Sequence, residues 1–258
     1  MNWFDPGDDV VITPDAERNR FWKRKFGDPD LEVSRQALFV NNGHGGLFDL
    51  VCQELDHIAE PICDHRENGY CHYRKPSSNK LTVYRAPEPA PYAAADLEVL
   101  INAGARQIVF VNGSGSLRSD VGVGSLVLPI NLIREEGTSF HYVEPGVELS
   151  TNDMLNKHIE DAAVKCGCEL VHGDHWTTDA ILRETFNKVD RLRIRGVVTV
   201  DMELSALAGV AHYRNCELSA LLVVTDVLEK DHTWERTSSS EFLEGARRAA
   251  KLGVSIFP

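Results

Sequence analysis

Residues Val197–Ala211 (VVTVDMELSALAGVA) join a run of β-branched side chains to a run rich in alanine. Valine and threonine favour strands because their branched side chains pack well on a pleated surface. In the second half, the apolar residues recur at the i, i+3, i+4, i+7 spacing of one helix face; they are Leu204, Leu207, Ala208 and Ala211. We therefore predict a strand over Gly196–Met202, a helix over Glu203–Tyr213 and a further strand over Leu218–Thr225.

This strand–helix–strand unit predicts where three side chains lie. A helix that packs on the sheet and crosses over in the usual right-handed way leaves its two strands parallel. Their carboxyl ends then share one edge of the sheet, which is where open α/β sheets bind ligands. Met202, Glu203 and Asp226 would meet at that edge. The alternative is that the two acids only begin the next segment and face water, because Asp and Glu are common near helix starts.

Length and composition indicate one large domain. With 258 residues, of which 43% are hydrophobic and 26% charged, the chain can bury a full core, and we expect a single α/β domain over residues 1–258. No run of about 18 apolar residues could span a bilayer. The start, MNWFDPGDDVV, lacks the basic and apolar regions of a secretory signal. We therefore expect a cytoplasmic protein with no membrane partner.

The charge argues against one class of partner. A net charge of -12 disfavours nucleic acid, because binding a phosphate backbone needs clustered Lys and Arg. The six cysteines are sparse and form no CxxC pair with a matching partner, so we expect reduced thiols. The histidines His141, His172 and His175 do not have the spacing of a zinc site, and no metal is expected.

Strand-like and helix-like segments alternate along the chain, which is typical of a sheet covered by helices. Thr13-Pro14 predicts a helix start, with a capping hydroxyl and a proline in the first turn. Residues 61–80 are polar and rich in turn formers, and we interpret them as a hairpin or loop. The other predicted strands are Asp9–Thr13, Gln107–Asn112, Gly124–Arg134 and Glu169–His172, and the other predicted helices are Tyr92–Ala103, Thr151–Cys166, Asp179–Val189 and Ser240–Leu252.

A glycine-serine segment, Val111–Ser116 (VNGSGS), follows the strand predicted at Gln107–Asn112. As a loop it could hold an anion or an ether oxygen on backbone N–H groups, because glycine allows close approach. It is not a P-loop, since no lysine follows it. A tight turn is the alternative interpretation.

Several motifs, in order, resemble the nucleoside phosphorylase/nucleosidase superfamily. Val200-Asp201-Met202-Glu203 is similar to its V-E-M-E motif. The other similar stretches are Tyr92–Gly115 (a helix, a strand and the glycine segment), Ile130–Tyr142 (INLIREEGTSFHY), His175–Thr185 (HWTTDAILRET) and Val223–Asp226 (VVTD). Residues 27–80 are poorly matched.

The resemblance implies a twisted mixed β-sheet, partly barrel-like and surrounded by helices, in a homo-oligomer (dimer, trimer or hexamer). It implies that phosphate cleaves the N-glycosidic bond of a purine or pyrimidine nucleoside, giving free base and ribose 1-phosphate without a cofactor. A carboxylate such as Glu203 suits the ribose hydroxyls, and Met202 offers an apolar surface beneath the sugar. Asp226 would protonate the leaving base.

The resemblance also points to residues for the base. Trp176 corresponds to a base-stacking aromatic, and Thr178 and Arg183 lie in the segment that faces the base in the family. A flat indole ring against a flat base is reasonable physically. For Trp176 the alternative is a buried position in the core.

The phosphate-binding residues match the family incompletely. The resemblance points to Arg18, Gly113 and Ser114, but Pro14–Arg18 lacks the glycine of the family's P-G-D-P-x-R loop. A second family arginine would fall at Val111 and is absent. Arg18 as a solvated surface charge is an alternative. Two other functions therefore stay open: a nucleosidase of the same fold, which uses water, and a nucleoside-binding protein without turnover.

Overall fold

The computed structural model describes residues 2–7, 9–43, 45–228 and 239–257. The helices of these residues are α1 (Pro14–Phe26), α2 (Leu47–Ile58), α3 (Ala90–Asn102), α4 (Asp153–Cys166), α5 (Phe186–Ile194), α6 (Leu204–Tyr213) and α7 (Ser240–Ile256). The strands are β1 (Gln36–Asn41), β2 (Glu60–His65), β3 (Tyr70–Arg74), β4 (Lys80–Ala86), β5 (Gln107–Ser116), β6 (Leu126–Glu135), β7 (Leu149–Ser150), β8 (Val171–Thr178), β9 (Val197–Asp201) and β10 (Glu217–Val227). Short 3-10 helices lie at Arg66–Asn68, Thr138–His141 and Ile181–Arg183.

These strands form one connected mixed sheet, part of which closes into a ring. Strands β10, β6, β8, β9 and β5 follow one another around the ring, which closes because β10 also pairs with β5. From β5 the sheet continues through β1, β4, β3 and β2, while β7 pairs with β6. The predicted fold class, a mixed β-sheet that is partly barrel-like and surrounded by helices, is therefore confirmed.

Both faces of the central strands are buried. In β5, Ile108 and Phe110 belong to one apolar cluster, whereas Val109 and Val111 belong to another. Successive side chains of a strand point to opposite faces, so each face of β5 has its own core. The first cluster includes residues of α1, α3 and α6, and the second includes residues of α2, α4 and α7.

Two local predictions agree with the structure. Helix α1 begins as expected: the Thr13 hydroxyl accepts a hydrogen bond from the Ala16 N–H at 3.1 Å, and Pro14 occupies the first turn. Residues 61–80 contain most of an antiparallel hairpin in which β2 pairs with β3. Strands β1 and β4 and helix α2, which lie in or beside the poorly matched region 27–80, were not predicted.

Two predicted elements are wrong. Residues Asp9–Thr13 form no strand, and Val11 is fully exposed there. β-Branched residues favour strands where a neighbouring surface packs against them, and none of the described residues buries this segment. The helix predicted over Asp179–Val189 is also wrong, because a 3-10 turn ends before the Thr185 hydroxyl caps a new helix that starts at Phe186.

The strand pairing predicted for the central unit is wrong as well. Strand β9 is antiparallel to β5 and β10 is parallel to it, so β9 and β10 run in opposite directions and are not neighbours. The apolar stripe of α6 shows which face of the helix packs on the sheet. It does not show which strands β10 pairs with. The glycine-serine segment is also not a loop: Gly113 and Ser114 lie within β5, opposite Val223 and Val224 of β10.

None of the described helices is both long enough and apolar enough to cross a membrane.

Candidate active site

Asp201 ends β9 and anchors the start of α6. Its carboxylate accepts hydrogen bonds from the Glu203 N–H at 3.2 Å and from the Leu204 N–H at 3.1 Å. These amides belong to the first turn of a helix, where no carbonyl of the helix itself can accept from them. The acid between the strand and the helix therefore acts as a hydrogen-bond acceptor for the backbone amides at the helix start.

The Asp201 carboxylate is also held by side chains of β8. His175 Nε2 lies 2.8 Å from Oδ1, and the Thr177 hydroxyl donates to the same oxygen at 2.9 Å. His175 Nδ1 is in turn 2.8 Å from the Thr199 hydroxyl. Burial raises the pKa of the Asp201 carboxyl, but His175, Thr177 and the first-turn amide together bring that pKa below its ordinary value. Asp201 is therefore a buried, ionised anchor.

Glu203 has the opposite character. Its side chain is almost fully buried, with the residue only 4% exposed, and Oε2 accepts from Asn112 Nδ2 and from the Met202 N–H, each at 3.3 Å. Burial, then the charges of Asp201 and Glu88, raise the pKa of Glu203 well above its usual range. Because the two neighbouring acids share one site, one carries the charge while the other retains its proton. A buried carboxyl of this kind can both donate to and accept from a sugar hydroxyl.

Asp226 lies on β10, on the other side of β5. Its Oδ1 accepts from the Thr225 hydroxyl at 2.5 Å. A Cβ placed on Gly115 would lie 3.4 Å from Asp226 Oδ2 and 3.2 Å from Val200 of β9. Gly115 thus lets the Asp226 carboxylate approach the end of β9, where Met202 and Glu203 follow. The antiparallel strands bring these predicted residues to one region of the ring by a route that the sequence did not predict.

Glu184 was not predicted and lies near Asp226. Burial, followed by the negative charge of Asp226, raises the pKa of Glu184 to about 7, while Lys188 acts in the opposite direction. A carboxyl with a pKa near neutrality can give or take a proton at physiological pH. Only its place in the RET stretch could have drawn attention to it.

The residues predicted for the base are placed less favourably. Trp176 is 1% exposed and packs in an apolar cluster with Leu117 and Val197, and its indole N–H donates to Glu135 at 2.8 Å. The buried-core alternative is therefore the one that the structure shows for Trp176. Thr178 is also buried and accepts from the Ala180 N–H at 3.2 Å. Arg183 is exposed on its 3-10 turn, so stacking and base recognition by these residues stay predictions.

The residues predicted for phosphate lie on different elements. Arg18 is on α1, where Nη2 is 3.3 Å from the Asp15 carboxylate and the buried Nε has no hydrogen-bond partner among the described residues. Gly113 and Ser114 lie within β5, and the buried Ser114 hydroxyl has no described partner. The buried Val111, which has no charge, stands where the family arginine was expected.

A glycine-rich turn after β1 was missed. Asn41 Oδ1 accepts from the Gly43 N–H at 2.7 Å, and Gly45 and Gly46 have φ values of 60° and 72°. Residue 44 lies outside the described residues. Helix α2 starts after Gly46, which has no side chain to cap it, and the Phe48 N–H of its first turn donates to Asn42 Oδ1 at 3.1 Å. The buried Asn41 Nδ2 has no described hydrogen-bond partner, and Gly43 lies against the carboxylate of Glu88. The signal in the sequence was the run NNGHGG ahead of the apolar spacing of α2.

Two cavities formed by the described residues lie elsewhere. One, of about 410 Å³, is bounded by the N-terminal segment, α3 and the end of α6, and Trp3 stacks there on His141 at 5.7 Å. The other, of about 300 Å³, lies at the start of α4. Neither is lined by Met202, Glu203 or Asp226. Residues 229–238, which follow β10, lie outside the described residues. Within the part of the chain that the structure describes, no cluster of three His, Cys, Asp or Glu side chains is arranged to hold a metal ion.

Solved structures share this fold. A purine nucleoside phosphorylase from Toxoplasma gondii superposes with a TM-score of 0.75 at 18% identity, covering 88% of this chain and 91% of that chain. A uridine phosphorylase from Vibrio fischeri has a TM-score of 0.71 at 20% identity, with coverage of 88% and 92%. An AMP nucleosidase from Bacteroides thetaiotaomicron has a TM-score of 0.67 at 20% identity, with coverage of 92% and 96%. These similarities concern the fold alone.

Sequence relatives point the same way. A DeoD-type purine nucleoside phosphorylase from Bacillus cereus is 26% identical over 146 residues, which is 56% of this chain and 60% of that protein. One from Bacillus cytotoxicus is 26% identical over 159 residues, or 59% and 67%. A model of the family described as "Phosphorylase superfamily" matches residues 49–257, a range that holds β5, β9 and β10 but not Arg18. With most of its length matched by that model, the chain belongs to the phosphorylase superfamily.

Proposed function

We propose that the protein cleaves the N-glycosidic bond of a nucleoside. The observation that carries this proposal is the buried Glu203 carboxyl, which keeps a raised pKa beside Asn112 and the ionised Asp201. Such a carboxyl can hydrogen-bond to two neighbouring ribose hydroxyls. Met202, which is partly exposed, supplies the apolar surface beneath the sugar.

The leaving base needs a proton as the bond to C1′ breaks. We propose that Asp226 supplies it, with Glu184 beside it as a second carboxyl. A positive charge that develops on the ribosyl group is stabilised by the nearby carboxylates. We propose base contacts for Trp176, Thr178 and Arg183 only with movement around Trp176, because its ring is buried in the described residues.

Phosphate is the acceptor that the sequence predicts, giving a free base and ribose 1-phosphate without a cofactor. Support comes from the names of the curated relatives and from the glycine-rich turn ahead of α2. The amides at a helix N-terminus attract anions, and although the Asn42 side chain occupies the Phe48 N–H of α2, the Ser114 hydroxyl lacks a described partner. Arg18 and Gly113 stay proposed phosphate contacts.

Water is the second candidate acceptor. Val111 is buried and apolar where the family places an arginine, and the charged groups that act on Glu203 are the carboxylates of Asp201 and Glu88. A phosphate dianion beside these groups would need a cation to offset the repulsion. Water carries no charge and avoids that requirement.

The test incubates the protein with a panel of purine and pyrimidine nucleosides, with and without phosphate, and measures the released base by chromatography. Release that requires phosphate and yields ribose 1-phosphate supports phosphorolysis. Release that ignores phosphate supports hydrolysis. If no nucleoside is cleaved under either condition while calorimetry still detects binding, the proposed enzyme gives way to a nucleoside-binding protein.

Assembly and location belong to the same proposal. We propose a homo-oligomer, because the family resemblance implies a dimer, trimer or hexamer, and a cytoplasmic location. Light scattering coupled to gel filtration gives the mass of the particle in solution. A mass of 28.7 kDa, that of one chain, would contradict the oligomer.

A further inference from the structure

We infer that Glu88 is the carboxylate that activates water as the acceptor in this site. This rests on the proposed cleavage of a nucleoside and goes beyond it by naming the residue that decides between water and phosphate. Glu88 follows β4 and its carboxylate lies against Gly43 in the glycine-rich turn after β1. A Cβ placed on Gly43 would overlap Glu88 Oε1 and lie 2.9 Å from its Cδ. The carboxylate thus occupies the space that a side chain at position 43 would take.

The sheet places this turn next to the proposed ribose site. Strand β1 runs parallel to β5 with Val40 opposite Val111. The next residues along the two strands are Asn41 and Asn112, and the Asn112 amide holds Glu203 at 3.3 Å. Glu88 lies beside the turn that follows β1, next to the strand end that carries Asn112, and we assign this side of the site to the acceptor. The electrostatic effect of Glu88 on Glu203 agrees with this placement, since it raises the pKa of Glu203.

The surroundings of Glu88 suit a water molecule. The side chain is exposed, and no hydrogen bond or ion pair joins it to any described residue, so both oxygens can accept from a solvent molecule. Asn41 Nδ2 is a further polar atom of the same turn without a described partner, but it is buried and does not face solvent. A water molecule can donate to an exposed carboxylate oxygen, and Glu88 provides two such acceptors. A phosphate dianion would instead face an unpaired carboxylate.

The other carboxylates near the site have different positions. Asp201 is occupied by the first turn of α6 and by the side chains of β8. Asp226 and Glu184 lie together beside Gly115 and β10, where we place the leaving base. Glu203 is buried against Asn112 and Met202. Of these acids, Glu88 is the one that combines exposure with a place beside the glycine-rich turn.

The chemical step balances with water alone. The water oxygen forms a bond to C1′ as the bond from C1′ to the base nitrogen breaks. Glu88 takes a proton from the water, Asp226 gives one to the departing base, and solvent returns both carboxyls to their starting states. The products are free ribose and free base, and no oxidant, reductant or phosphate is consumed.

The experiment measures base release by wild type, E88Q and E88A in phosphate-free buffer, with E144Q as a matched exposed control. Loss of a general base typically lowers a rate by 100-fold or more, so we expect about a 100-fold fall in kcat for both Glu88 variants and an unchanged rate for E144Q. Affinity for the nucleoside, measured by calorimetry, should change by less than about threefold, because a general base acts on the chemical step and not on substrate binding. The variants should melt at the wild-type temperature.

Two further readouts separate a catalytic base from a structural role. The wild-type kcat/KM profile should have an acidic limb from the base and a basic limb from the acid Asp226, and E88Q should lose only the acidic limb. In water labelled with oxygen-18, the label should appear in the ribose. Wild-type cleavage that requires phosphate, or an E88Q rate equal to wild type, would overturn the role of Glu88 while leaving the proposed function in place. No cleavage of any nucleoside would overturn both.

Discussion

Replacing Asp201 with asparagine should destabilise the protein strongly. Oδ1 of this carboxylate accepts from the Thr177 hydroxyl and from the Glu203 and Leu204 amides. Oδ2 accepts from the Leu204 amide and from Asn112 Nδ2. The groups on both oxygens are hydrogen-bond donors. An asparagine amide has one NH2 group, and in either orientation that group faces donors instead of an acceptor.

The contacts set the magnitude. At least two hydrogen bonds are lost, at about 1 kcal/mol each, and buried donors are left without an acceptor, at about 1–3 kcal/mol. His175, 2.8 Å away, also loses its charged partner. We expect the free energy of unfolding to fall by about 3–5 kcal/mol, which is the sum of these two hydrogen-bond contributions.

Urea denaturation followed by circular dichroism measures this change by linear extrapolation. The matched control is Asp174→Asn, because Asp174 accepts one hydrogen bond, from Asn131 at 2.8 Å, at a site that is partly exposed. The control should lose less than about 1 kcal/mol. A D201N protein as stable as that control would refute the anchoring role of Asp201.

Three other predictions concern protons and glycine. Burial and Asp226 raise the pKa of Glu184 from 4.5 to about 7, so the folded chain holds a proton that the unfolded chain has released. Glu184 should lower the free energy of unfolding by up to about 3 kcal/mol as pH rises from 4.5 to 7, and Glu184→Gln should make the total fall in urea titrations smaller by that amount. Asp226→Asn should lower base release about 100-fold yet preserve nucleoside affinity by calorimetry; an unchanged rate would exclude it as the acid. Gly45→Ala should lower the melting temperature more than Gly167→Ala, since both glycines have φ near 60° but only the first Cβ would overlap Phe242. Equal shifts would show that the overlap is relieved.

Residue spacing predicted most elements of the second half of the chain. The apolar stripe of α6 and the β-branched run of β9 each mark an element whose buried face repeats at a fixed period. The motifs that contain Glu203 and Asp226 resemble one superfamily, and the family model confirms that the chain belongs to it. The roles of these residues stay predictions.

Strand pairing was beyond reach, because periodicity describes one element and pairing depends on others far along the chain. Nothing in Val197–Ala211 shows that β9 lies between β8 and β5. Similarly, the contacts of Asp201 with His175 and Thr177 join segments more than 20 residues apart. Trp176 was ambiguous for the same reason: burial of an aromatic side chain depends on neighbours that only the fold supplies.

Strand β5 belongs both to the closed ring and to the open part of the sheet. It pairs with β10 and β9 on the ring side and with β1 on the other. Any division of the gene within or before this strand would leave β1 and β4 without the partner that completes their sheet. Two separately expressed fragments should therefore restore the fold only when together they supply β1, β9 and β10 as partners of β5. The backbone amides of β5 should exchange with deuterium among the slowest in the molecule.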